Sequence, residues 1–213
     1  MPYVRTSEQA VFKFAELSDR AKEKARDWWR DCENADGCDL SCNYEDFATC
    51  ASILGIDLRT RPVKLMSGAT RYDPCIWWSG FSSQNDGACL EGSYAYAKGA
   101  AKKIREHAPE DKELHRIADE LFALQRKAFY RLEARATHRG HYYHSGCMQI
   151  DVWRSEGDAT RDEDDALAQL LRDFADWVYC QLEKDYEWRM ADEQVDENIR
   201  ANEYDFDEDG GLL

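Results

Sequence analysis

No stretch of this chain approaches the roughly 18 consecutive apolar residues that a membrane-spanning helix needs. Its opening Met-Pro-Tyr-Val-Arg lacks the apolar block of a secretory leader. Also missing are a Walker A loop, a Rossmann fingerprint, H-E-x-x-H and G-x-S-x-G, so the common nucleotide-binding, zinc-protease and serine-hydrolase classes find no support. There is no internal repeat and no tight cysteine framework. These absences lead to the expectation of a soluble protein of the host-cell cytoplasm, with no cofactor and no membrane contact.

Positive charge is missing from one end. Residues 156–213 hold 20 Asp/Glu against 5 Lys/Arg, whereas residues 1–155 balance 23 acids with 23 bases. The whole net charge of −15 therefore sits in the last 58 residues. A one-sided negative field repels nucleic acid and attracts basic surfaces. The expected partner is a basic, nucleic-acid-handling protein, with no direct contact to nucleic acid.

What is present suffices for a folded core, since 43% of the residues are hydrophobic and 12% aromatic. The eight cysteines (Cys32, Cys38, Cys42, Cys50, Cys75, Cys89, Cys147, Cys180) are dispersed and are expected to be free thiols. Ser18 reads as the N-cap of a helix over 19–30, and a second helix is expected over 44–54, stopping at Gly55. A turn is expected between them at Asn34–Asp39. Strands are expected over 61–66, 71–79, 88–96, 128–137 and 147–153, and helices over 97–107 and 111–126. Leu114, Ile117, Ala118, Leu121 and Leu124 mark the buried stripe of the last helix.

From Leu167 to Leu182, apolar residues recur at i, i+3, i+4 and i+7, which predicts a long amphipathic helix. A shorter helix is expected around Val195 and Ile199. This order predicts an α+β fold, an antiparallel sheet of about four to five strands packed with helices. Three segments are expected: a neutral body over 1–155, an acidic helical region over 156–202 packed on it, and a disordered acidic tail over 203–213.

Four groups of residues offer chemistry. Asp162, Glu163, Asp165, Asp173, Asp176, Glu183 and Glu187 lie on or near the acidic helix and are the expected partner-binding set, acting as phosphate stand-ins; an ordinary solvated helix face is the alternative. Cys89, in Ser83-Gln-Asn-Asp-Gly-Ala-Cys89, is a candidate hydrolase nucleophile. His141 or His144 would then act as base, with Asp86 or Asp151 to orient it. A core cysteine is the plainer reading. His138, His141 and His144 recur every three residues with Cys147 three further on, a weak zinc-ligand pattern. The widely spaced Cys32, Cys38, Cys42 and Cys50 form a weaker one. Trp77 and Trp78 are expected to alternate, one buried and one on a face. Trp28-Trp29 and the long C-terminal helix are the candidate surfaces for a homodimer.

Phe14-Ala-Glu-Leu-Ser-Asp-Arg-Ala-Lys-Glu-Lys-Ala-Arg-Asp-Trp-Trp-Arg30 resembles the opening of a group of phage and prophage accessory proteins. Trp78-Ser-Gly-Phe-Ser-Ser-Gln-Asn-Asp-Gly-Ala-Cys-Leu-Glu-Gly92 and His138-Arg-Gly-His-Tyr-Tyr-His-Ser-Gly-Cys147 are similar to two further blocks of that group. Some of its members carry an antitoxin-like label. The resemblance implies a mobile-element accessory protein and assigns no site residue. Joined to the charge, it leads to an expected anti-CRISPR or related anti-defence inhibitor that binds a CRISPR effector or similar basic host protein. A Cys89 hydrolase and an antitoxin binding its toxin are the alternatives.

Overall fold

The computed structural model describes residues 9–35 and 43–213. In chain order the elements are β1 (Phe12–Lys13), a 3₁₀ turn, α1 (Asp19–Ala35), α2 (Tyr44–Leu54), β2 (Ile56–Leu58), β3 (Thr60–Lys64), β4 (Thr70–Pro74), β5 (Ile76–Trp78), β6 (Ala88–Leu90) and β7 (Gly92–Ala95). Then follow α3 (Ala100–His107), α4 (Lys112–Lys127), β8 (Leu132–His138), a 3₁₀ turn, β9 (Met148–Arg154), β10 (Gly157–Asp158), α5 (Arg161–Met190), α6 (Asp192–Ala201) and β11 (Asp205–Phe206). No helix is long and apolar enough to cross a membrane among the described residues. The fold is α+β.

The chain divides into two units, Leu40–Glu183 and Met1–Asp39 with Lys184–Leu213. The boundary thus falls within α5 and near residue 40 rather than at 155. The central unit is built on a five-stranded antiparallel sheet in the order β10-β9-β8-β7-β2. β8 alternates strictly at its start, with Leu132, Ala134 and Ala136 buried between outward neighbours, as a half-covered strand should. Two hairpins, β3–β4 and β5–β6, complete the unit.

Two expected strands each split in two, for one reason. At Cys75 the chain stops pairing with β3 and starts pairing with β6. The Cys75 N–H donates to Arg59 O at 2.6 Å, and its carbonyl accepts from Glu91 N at 2.9 Å. Glu91 makes the matching break between β6 and β7.

The helices bury the stripes their spacing predicts. Leu114, Ile117, Ala118 and Leu121 of α4 are buried, with Leu124 of the expected stripe only half-buried, and Leu167, Leu170, Leu171, Phe174, Trp177, Val178 and Leu182 of α5 are buried. Asp111 fixes α4 to α5: one carboxylate oxygen caps Leu114 N at 2.9 Å, and the other accepts from Trp177 Nε1 at 2.7 Å. Trp177 also meets Phe47 of α2 edge-on at 5.6 Å. Gln125, fully buried, extends the α4 stripe with a polar group. Its amide donates to Leu132 O at 2.7 Å and accepts from Leu132 N at 3.2 Å, which fixes the start of β8.

In the second unit, Phe14, Leu17, Ala21, Ala25, Val195, Ile199 and Phe206 form one core. Ser18 Oγ accepts from Ala21 N at 3.3 Å, as its reading as an N-cap requires. Trp28 and Trp29, offered above as a dimer surface, are half-buried and pack against Tyr204 at 5.1 and 6.0 Å. Arg26 grips Asp196 through two bonds of 2.6 and 3.0 Å, and Arg30 pairs with Asp192.

The tail is ordered, contrary to the expectation from its composition. Phe12 pairs with Phe206 in an antiparallel bridge, and Phe206 is completely buried. Asp207 then closes a turn, its carboxylate accepting from Gly211 N at 2.7 Å. Gly210 has φ +81°, and a Cβ there would lie 2.0 Å from Ala21 O, so only glycine fits. Of the expected turn at 34–39, Asn34 and Ala35 belong to α1, and the rest lies outside the described residues.

Candidate functional site

At 100° per residue, Asp162, Asp165, Asp173, Asp176 and Glu183 fall within about 80° of arc on α5. They mark out a line about 32 Å long. Glu187 belongs to the second unit and is exposed. Glu163 lies off this face. It accepts from Arg154 at 2.6 Å, and with Thr160 it forms a capping box, Thr160 N to Glu163 Oε2 at 3.0 Å and Glu163 N to Thr160 Oγ1 at 3.3 Å. The Arg154 guanidinium holds its carboxyl below the usual carboxylate range. Glu163 therefore starts the helix and is withdrawn from the expected partner-binding set.

Asp173 meets Arg116 of α4 at 2.6 Å, but that one guanidinium also serves Glu113 at 2.6 Å and Glu120 at 3.0 Å. Three carboxylates share a single cation, so the cluster stays negative. Glu113 and Glu120 are exposed and enlarge the acidic face beyond α5. Asp165 has only a long contact, 3.8 Å, to exposed Arg161. Asp162 is exposed and Glu183 half-buried. Asp176 is exposed by area, yet its carboxyl is crowded beside Ser145 and His144. Lost hydration pushes its pKa up, opposed by a hydrogen bond with Ser145.

The cysteine and histidine residues are arranged otherwise than expected. Cys89 is fully buried in β6, opposite Trp77, and burial pushes its thiol up to about 12. A nucleophilic cysteine needs access and a lowered pKa, so Cys89 is a core residue and its candidacy fails. His141 is exposed. Asp86 is committed to its own loop, accepting from Ser82 N at 2.9 Å and Ser83 N at 2.7 Å. Asp151 is exposed on β9.

The histidines do not converge on a metal. His138 Nε2 lies 2.8 Å from Tyr142 O, and its ring packs between Trp77 and Tyr143. His144 Nε2 instead lies 3.1 Å from Cys147 Sγ, a half-buried thiol in the turn before β9. Gly87 makes this possible: a Cβ there would come within 2.7 Å of His144 Cβ. Trp77 and Trp78 are both half-buried rather than alternating, and Trp78 stacks on Phe81 at 5.1 Å.

Residues 40–192 match the family described as Domain of unknown function (DUF8835). The chain belongs to that family. Its matched segment covers the whole Leu40–Glu183 unit, including the acidic α5 face up to Glu183 and the Cys147–His144 pair. No curated protein and no solved structure matches the chain.

The family segment also contains a grouping that sequence spacing did not single out. Asp46 and Cys50 stand one turn apart on α2, and His107 is the last residue of α3; a donor atom from each lies within 4.8 Å of the others. Cys38 and Cys42, which were grouped with Cys50 by spacing, lie outside the described residues, and Cys32 is exposed. The signal available in the sequence was the i, i+4 pair Asp46/Cys50; its third member is 57 residues away in the chain.

Proposed function

We propose that this protein is a non-enzymatic inhibitor whose acidic α5 face occupies the nucleic-acid-binding surface of a basic host protein. An anti-defence role against a CRISPR effector is the form of this reading that agrees with the charge and the phage-type resemblance; an antitoxin would use the same contacts on a different partner. The observation that carries it is the line of Asp162, Asp165, Asp176 and Glu183, joined at Asp173 by Glu113 and Glu120, with one arginine among the last three. A duplex carries one charge per about 1.7 Å, and the helix line is several-fold sparser. The contact is therefore a set of spaced anchor points, and the apolar core beneath α5 holds them rigid.

The test is charge reversal. Asp162→Lys, Asp165→Lys, Asp176→Lys and Glu183→Lys together should weaken capture of basic proteins from host lysate by at least about thirtyfold, at roughly 0.5 kcal/mol per exposed pair. They should also flatten its dependence on salt. Glu163→Gln, which removes an internal pair, should leave capture intact. Identical capture by the reversed protein would remove the mechanism.

One distance favours a second reading, a thiol-dependent hydrolase using Cys147 rather than Cys89. Sγ at 3.1 Å from an imidazole is the arrangement in which histidine takes the thiol proton, and Asp176 adds a carboxylate beside His144. A Cys147→Ala protein with full biological activity would dispose of this alternative.

A further inference from the structure

We propose that Asp46, Cys50 and His107 form a binding site for a zinc-class divalent cation, with a fourth position open to solvent. A thiol, an imidazole and a carboxylate are the donor set that zinc takes, and three protein ligands plus one open position is its arrangement in reactive sites. The donors come from two helices. Asp46 and Cys50 share one face of α2 at i, i+4, and His107 is brought to them by the end of α3. His107 Nε2 already lies 2.8 Å from Asp46 Oδ1.

Tetrahedral bonds of about 2.0–2.3 Å set neighbouring donors about 3.3–3.6 Å apart. Seating a cation therefore requires the Asp46–His107 pair to part by about 0.5 Å and the sulfur, within 4.8 Å of both, to come to about 3.5 Å. Cys50 is fully buried at the base, while Asp46 and His107 keep 59% and 34% of their side chains exposed, so the open position faces water. The corner is also negative, because Asp111 adds its charge near the sulfur. Asp111 is not a ligand, because both its oxygens are engaged with Leu114 N and Trp177 Nε1. This inference does not depend on the partner proposed above.

Cobalt(II) is the probe. The full chain, cleared of metal and kept reduced, should bind one equivalent of Co²⁺ and show sulfur-to-cobalt charge transfer with the visible bands of four-coordinate cobalt; Zn²⁺ should displace it. His107→Ala and Asp46→Asn, both surface changes, should each weaken binding by more than the roughly 10–100-fold that loss of an outer-shell partner costs. Cys50→Ser should abolish the charge-transfer band, whereas Cys147→Ser and His144→Ala should leave it unchanged. Absence of the band in the parent protein would overturn the site, as would a Co²⁺ affinity unchanged by His107→Ala or a band that vanishes with Cys147→Ser.

Discussion

Asp176 has a titration behaviour that its neighbours impose. Its pKa is raised in the folded state, so ionising it opposes folding. That cost is present at pH above the raised value. It fades as pH falls through that value, and it is gone below the ordinary carboxylate range, where folded and unfolded chains are both protonated. Asp176→Asn should therefore melt higher than the parent at neutral pH, with the gap closing on acidification. Thermal melts across that range check this, and a gap independent of pH would refute it. Single residues were also where the sequence was hardest to read. Cys89 and Cys147 look alike in a string, and only burial and a histidine at 3.1 Å separate them. Gln125 is legible in the sequence, because a polar residue one turn beyond Leu121 on an apolar stripe already asks what it bonds to.

At the scale of elements, periodicity carried the helices because burial of a stripe is local information. All seven apolar positions expected for α5 are buried. Strand ends were less legible, since the breaks at Cys75 and Glu91 arise from a change of pairing partner that no window of sequence contains. The tail shows the opposite failure. Its acids suggested disorder, while its order rests on Phe206 and on one glycine. Gly210→Ala should cost at least about 1–2 kcal/mol from the left-handed backbone alone, before the collision with Ala21 O. Denaturant melts together with limited proteolysis should show the loss and faster cutting near residue 205; an unchanged pattern would mean that the turn contributes nothing.

For the whole molecule, the asymmetry of charge was readable from composition, but its distribution was not. Asp192 and Asp196 are met by arginines of α1, and Glu163 by Arg154. Glu113 and Glu120, from the part of the chain that sums to neutral, instead add to the acidic face. The fold thus pairs off Glu163, Asp192 and Asp196 and adds Glu113 and Glu120 to the acidic face at Asp173.

The pairing of Phe12 with Phe206 carries a consequence for biosynthesis. Phe12 leaves the ribosome nearly 200 residues ahead of its partner, a delay of roughly 10–40 s at 5–20 residues per second. The central unit is complete only once Glu183 has emerged, late in that interval, and until then the aromatic residues of the leading segment have only their own segment's part of the core to pack against. A holding chaperone, or a slow final phase in refolding, is where that wait would be felt.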